Sequence, residues 1–440
     1  MKKTVLLSLI LAAAIFCVSG CKSSELKKND PVTLTMWHVY GEQSDSPMNR
    51  LVDEFNRTVG SERGIIINVT AMSNASHIGE KLLDSQSKKP GADDMPDLFF
   101  AHLSNAVDLG VENLINWNDL FSEKELSKYV PEFLDAGTYN GNLCVFPVAK
   151  STHMLFIAGE QFDRFSQKSG VTYESLSDWG GFFDAAEKYH TLTGKAFCSI
   201  DYPLSCIELD AMENGAKNIH TDDGRYDFDN EIFKNSFMKF ANALVKGQII
   251  LSDLYSNTQV MTGEVMSGIG SSAAILYYND TVTYEDGTSE PMNLKILPVP
   301  REKDKAPYIA QAGVGLCAYK TTPKKAEAAA VFAEWLTQSQ RNLDFAAETG
   351  YMPVVNDAFE KISDYDFKSD EYKQLYAAIG KSKKDSTAVS EPLTKGYYSR
   401  VSAFYDIIRK KQKQLADRYA LGTSAETLST ELWEALKNIN

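Results

Sequence analysis

The sequence predicts an α/β fold with a largely parallel sheet, and three observations carry that prediction. Short apolar runs of strand character recur at "PVTLTMWHV", "GIIINVTAM" and "MPDLFFAHL". Between them lie segments whose apolar residues return at helical spacing, as in "SPMNRLVDEFNRTVG". Strands that alternate with helices call for crossover connections and therefore parallel neighbours. The chain has 440 residues, enough for about two ordinary domains.

The first residues read as a targeting segment. Lys2 and Lys3 precede a nearly uninterrupted apolar run from Val5 to Val18. A bilayer span needs roughly 20 apolar residues, so this run fits the apolar region of a secretory signal peptide instead. Val18-Ser19-Gly20-Cys21 matches the bacterial lipobox, which makes residues 1–20 a signal peptide and Cys21 the lipidated N-terminus. Cys17 would leave with the signal; the alternative is an ordinary signal peptide in which Cys21 is incidental. Residues 21–31 are polar, without apolar period, and read as a tether between lipid and fold.

The body opens with a strand in which Val32, Leu34 and Met36 alternate with more polar neighbours. Ser46 can cap the first helix, Pro47 suits its first position, and Met48, Leu51, Val52, Phe55 and Val59 form its apolar face. Residues 64–72 and 95–103 are the second and third strands. The same alternation resumes after "VFPVAKSTHMLFIA", with "SLSDWGGFFDAAEKYHTLTG" a helix ending near Gly194. Thr322 and Pro323 start an Ala-rich helix, and the chain from Tyr397 onward is helical.

A net charge of −14 argues against nucleic acid as a partner. Cys144, Cys198, Cys206 and Cys317 show no CxxC spacing. Cys144 and Cys317 sit in apolar contexts and read as core thiols; Cys198 and Cys206 could close a disulfide or remain free. No HExxH, GxSxG or P-loop occurs, so no metal, cofactor or catalytic group is expected. Gly268 to Ala273 matches GxGxxA but opens no βαβ unit, and reads as a Gly-rich turn. "TDDGRYDFDNE" lacks the EF-hand spacing and reads as a turn followed by a cap at Asp229 or Asn230.

Eight segments in order carry a resemblance: "LTMWHVYGE", "MPDLFFAHL", "YNGNLCVFPVAKSTHMLF", "SLSDWGGFFDAAEKY", "TGEVMSGIGSSAAI", "LKILPVPRE", "AGVGLCAYKTTPKKAEAAAVFAEWL" and "ETGYMPV". Together they resemble the extracellular solute-binding proteins of bacterial ABC importers, in the large sugar-binding group. The resemblance implies a two-lobed, periplasmic-binding-protein-like fold with about three crossing segments, near 145–149, 267–272 and 316–322. On that pattern, residues 32–147 with 268–319 form one lobe, and 148–267 with 320–440 the other. It also implies a monomeric, lipid-anchored receptor facing the periplasm or cell exterior. Such a receptor catches a small molecule between its lobes and passes it to the transmembrane subunits of a permease.

Open α/β sheets bind ligands at the carboxyl ends of their strands. That rule nominates Trp37, His38 and Glu42 after the first strand and His102 after the third. Ser151, Thr152, Ser271 and Ser272 flank the implied crossings. Tyr202 and Tyr398 offer ring faces in the second lobe, and Tyr351 follows Gly350 in "ETGYMPV". Trp179 and Trp335 lie on packed helix faces, so Tyr202 is the one aromatic of "DYPLSCIELDAMENGAKN", and a small polar ligand is expected over a long oligosaccharide. A carbohydrate is the first reading. Glycerol-3-phosphate or a related phosphorylated polyol is the alternative, with Arg400 as its candidate partner. An exported enzyme acting on polysaccharide is the distant third, and would need a close carboxylate or histidine pair.

Overall fold

The structure, a computed structural model, describes residues 24–40, 46–72, 75–221, 223–367, 369–394 and 396–439. Residues 1–23, with the signal segment and Cys21, and Glu42 lie outside them. Ser46 accepts from Asn49 N with Pro47 at the first helical position, as its sequence signature predicts. Thr322 likewise accepts from Lys325 N ahead of Pro323, and Asp178 from Gly181 N ahead of a helix that ends at left-handed Gly194. Asn230, one of the two expected caps, accepts from Ile232 N and Phe233 N.

Two sheets organise the chain. In the first, the order is Gly315–Ala318, Leu98–Ala101, Val32–His38, Ile65–Ala71. The last three strands are parallel and the Gly315–Ala318 edge is antiparallel. Leu98–Ala101 is buried along its whole length, as expected of a strand covered on both faces. The second sheet runs Lys295–Pro298, His153–Ile157, Ser267–Ser271, Cys198–Ile200, Ile249–Ile250. His153–Ile157 is antiparallel to both its neighbours, and the remaining pairs are parallel.

This pairing redraws the lobe boundaries expected from the sequence. Ser267–Ser271 and Lys295–Pro298, assigned there to the first lobe, are strands of the second sheet. Helices Pro323–Leu336 and Ser339–Thr349, assigned to the second lobe, supply Phe332, Trp335 and Phe345 to the cluster that holds Met36, Phe55 and Phe100. The reason is physical: partners come from distant parts of the chain, and no local pattern fixes which strands pair. The segment at 267–272 is accordingly no crossing. Nor is it a turn, since Gly268 and Gly270 lie inside a strand. A Cβ at Gly270 would stand 2.7 Å from Asp201 Oδ2, so the glycine lets that carboxyl lie across the strand.

The crossings that do join the lobes lie side by side. Ser151 N donates to Ala312 O and Ala312 N to Ser151 O, both at 2.9 Å, while Lys150 N donates to Met352 O at 3.2 Å. Gly313 takes φ +104, and a Cβ there would meet Ser151 N at 3.3 Å. Cys144 and Cys317 pack together in a third buried cluster with Phe99 and Trp37. Cys198 and Cys206 are free and buried, which settles their disulfide alternative.

Buried Asn342 fastens this hinge. Its Nδ2 donates to Val148 O at 2.8 Å, and its Oδ1 accepts from Val354 N at 2.7 Å. Asn342→Ala strands both backbone groups without water and should cost about 1–3 kcal/mol. A urea denaturation curve with an unchanged midpoint would contradict this account of the hinge.

Candidate functional site

The sites nominated from sequence divide into three groups. Trp37 and His38 belong to the scaffold. Trp37 is packed in the cluster of Phe99 and Cys317. His38 is wholly buried, with Nε2 2.8 Å from Asn49 Oδ1 and Nδ1 accepting from Tyr40 N. Burial lowers its pKa, as it does for any imidazole without a carboxylate. Both end the first strand, and its last side chains turn into the lobe.

The hinge hydroxyls form the second group. Ser151 and Thr152 are buried in the crossing, and Thr152 O accepts from Ser272 N at 2.7 Å. Ser271 caps the turn that follows its strand by accepting from Ala273 N. Ser272 Oγ is buried without a partner.

The third group lines the gap between the lobes. His102, from the first lobe, sets Nδ1 3.1 Å from Glu391 Oε2 and its ring 5.2 Å from that of Tyr398. The Tyr398 hydroxyl donates to the same carboxylate. Tyr202 stacks on His153 with centroids 4.6 Å apart and planes 4° from parallel. Across the gap, Tyr351 packs edge-on to Tyr40 at 5.4 Å. Its loop touches the second lobe, because a Cβ at Gly350 would meet Ser272 O at 2.7 Å.

Sequence reasoning missed two tyrosines here. Tyr255 and Tyr277 stand 57% and 51% exposed on the second lobe, within electrostatic reach of Tyr351. Leu254 and Leu276 are exposed beside them. The Leu-Tyr pairs of "LSDLYSN" and "ILYYND" were the available signal. With Tyr202 and Tyr351 they give the gap a set of ring faces, of the kind that stacks on apolar faces of a ligand.

Carboxyl groups in this region have opposite fates. Burial pushes Glu391 up, but His102, the Tyr398 hydroxyl and Lys150 more than reverse that and hold it at about 2. Burial raises Glu208 to about 8, with the charge of Glu391 adding to it, against a hydrogen bond from Tyr226 Oη at 3.2 Å. Burial also raises Asp201 to about 7, opposed by bonds from Ser256 N and Oγ at 2.7 and 2.9 Å. Lys150 is lowered to about 8 by burial, with Glu391 opposing. Arg400, the residue nominated for phosphate, donates instead to Gly224 O at 2.9 Å and Thr394 Oγ1 at 2.8 Å. Among the described residues, no group of three or more His, Cys, Asp or Glu could hold a metal ion.

Two lobes on adjacent crossings, with polar and aromatic side chains facing each other across the gap, define a hinged small-molecule receptor. Residues 50–375 match the family model for bacterial extracellular solute-binding proteins, and the chain belongs to that family. Members are binding proteins rather than enzymes and work outside the cytoplasm. No helix among the described residues is long and apolar enough to cross a membrane.

Solved structures share the fold. One is the Listeria monocytogenes ABC substrate-binding protein Lmo0181 in complex with cycloalternan: TM-score 0.70, 14% identity, 93% of this chain and 99% of that one covered. UgpB of Mycobacterium tuberculosis in complex with glycerophosphocholine gives 0.68, 16%, 93% and 98%. The cyclic α-maltosyl-1,6-maltose binding protein of Arthrobacter globiformis gives 0.63, 17%, 92% and 99%.

The carboxyl pKa values predict two pH limbs of opposite sign. Glu391 is depressed from 4.5, so its contribution to stability is present above about pH 4.5 and is lost as pH falls toward 2. Glu208 is raised, so stability declines as pH rises from about 4.5 to about 8. Urea midpoints across this range should show a shallower acid limb in Glu391→Gln and a shallower neutral limb in Glu208→Gln. A neutral limb as steep in Glu208→Gln as in the wild type would contradict the assignment.

Proposed function

We propose that the chain captures a carbohydrate between its lobes and delivers it to the membrane permease of an ABC importer. The observation that carries this reading is the set of ring faces from Tyr202, Tyr255, Tyr277 and Tyr351 beside hinge hydroxyls. Sugars pair apolar ring faces with hydroxyls, and such a lining meets both. A cycloalternan complex and a cyclic α-maltosyl-1,6-maltose binding protein of the same fold support it. The exposed Tyr255 and Tyr277 favour more than one ring, against the small ligand expected from Tyr202 alone. A phosphorylated polyol or phosphodiester is the second reading, favoured by the fold shared with a glycerophosphocholine complex. The engagement of Arg400 with Gly224 and Thr394 speaks against it.

A thermal-shift screen of neutral sugars, polyols and glycerol-3-phosphate separates the two. A ligand at a hundred times its dissociation constant should stabilise the protein by about 2.7 kcal/mol. Tyr255→Ala and Tyr277→Ala should each weaken a bound sugar by about two- to thirteenfold, the loss of roughly 0.5–1.5 kcal/mol of ring contact. A response to glycerol-3-phosphate alone would overturn the carbohydrate reading.

Anchoring through Cys21 belongs to the same proposal, as does a monomeric receptor that faces the periplasm or cell exterior. Several acyl chains on one residue hold a protein durably where one does not. Cys21→Ala should therefore move the protein to the soluble fraction, and its retention with membranes would refute the anchor.

A further inference from the structure

Two kinds of contact join the lobes. The strip at the hinge consists of backbone hydrogen bonds, which do not titrate. A second junction is made of side chains. His102 precedes helix Leu103–Asp108, whose Leu103 and Ala106 pack with Trp37 and Phe99 in the first lobe. Tyr398 lies on helix Tyr397–Ala420, whose Tyr397, Phe404 and Ile408 pack with Ile157 and Ile269 in the second. The two rings stand 5.2 Å apart and meet on one atom, Glu391 Oε2. His102 Nδ1 is 3.1 Å from that oxygen, and the Tyr398 hydroxyl donates to it. Ser104 adds a hydrogen bond to Tyr398 from the first lobe. Glu391 follows strand Thr387–Ser390, which pairs with Tyr308–Gln311 and is thereby fixed to the crossings. His102 is held at its base as well, since its N–H donates to Asn105 Oδ1 at 3.3 Å.

We infer that His102, Glu391 and Tyr398 form a proton-operated clasp between the lobes, closed while His102 carries a proton and loosened when it loses it. The inference goes beyond ligand capture, and its test needs no ligand. Imidazoles change charge between about pH 5 and 8. An imidazolium gives a carboxylate a charge-assisted hydrogen bond, roughly twice as strong as the bond from a neutral ring. The carboxylate does not titrate along with it, because its surroundings hold Glu391 at about 2. The His102 side chain is 16% exposed, so water reaches the ring and can exchange its proton. Other charges act on both sides. Glu132 and Asp135 share a cavity wall with His102 and favour the cation, while Lys150 on the same wall opposes it. His153, Glu208, Tyr397 and Tyr405 lie within electrostatic reach of Glu391. A clasp of side chains can part while both lobes stay folded, so the proton biases the arrangement of the lobes and not their integrity. Acid surroundings would hold the lobes together more firmly than neutral ones.

Single-molecule energy transfer between dyes on the two lobes, at Lys124→Cys and Lys188→Cys, tests the clasp in the Cys21→Ala protein without residues 1–20. Both lysines are exposed, and Cys144, Cys198, Cys206 and Cys317 are buried. Without ligand, the ratio of closed to open molecules should fall about fivefold from about pH 5.5 to about pH 7.5, the difference between a charged and a neutral hydrogen bond. His102→Gln keeps a neutral donor and should flatten this profile, as should Glu391→Gln. Asp201, Glu208 and Lys150, at about 7, 8 and 8, titrate in or near the same window, and His102→Gln leaves all three in place. Should Glu391→Gln fail to fold, His102→Gln decides alone. A ratio that does not move with pH in the wild type, or that moves as steeply in His102→Gln, would overturn the clasp and leave the carbohydrate reading untouched.

Discussion

Three segments far apart in sequence meet in one strip of backbone at the hinge. Lys150 and Met352 exchange hydrogen bonds at 3.2 and 2.6 Å, and Ser151 and Ala312 exchange theirs at 2.9 Å. Phe146 N continues the strip by donating to Leu316 O at 2.9 Å. Because these bonds pin backbone, they also aim side chains: Tyr351 beside Met352, Lys150 and Thr152 beside Ser151, and Gln311 beside Ala312. The gap between the lobes takes its floor from this strip. Lobe motion about these adjacent crossings, with side chains fixed at the pivot, is the hinge geometry that lets a ligand hold two bodies together.

Electrostatics adds a second layer to that geometry. Glu391 keeps its charge because His102, Tyr398 and Lys150 surround it, and that group ties the first lobe to the segment entering the last long helix. Asp201 and Glu208, on the second lobe, face no such compensation and are pushed toward neutrality. A ligand that excludes water from the gap would deepen both tendencies, since desolvation strengthens a compensated charge and penalises an isolated one.

Much of the fold was legible from local pattern. The strand at 32–38, the caps at Ser46, Asp178 and Thr322, and the buried character of Cys144 and Cys317 each depend on residues near in sequence. The division into lobes was not, because antiparallel pairing of His153–Ile157 with Ser267–Ser271 joins segments about a hundred residues apart, and no periodicity encodes the partner. The site was legible only in part. His102 lies against Glu391 and Tyr398, and Tyr202 within electrostatic reach of Tyr351, as strand ends and loops place them. Trp37 and His38 follow the same rule and yet turn inward, because the last strand residues still pack on the lobe's own core. Tyr255 and Tyr277 stand out only once tertiary structure leaves their rings uncovered.

The central claim is that a carbohydrate ring occupies the gap between the lobes, against tyrosines of both and over the hinge strip. A crystal structure of the protein with the sugar that most raises its melting temperature tests this most directly. The account predicts the ring in contact with Tyr351 from one lobe and with Tyr255 or Tyr277 from the other, its hydroxyls bonded to hinge side chains. A sugar bound on the outer face of one lobe, with these tyrosines bare, would contradict it.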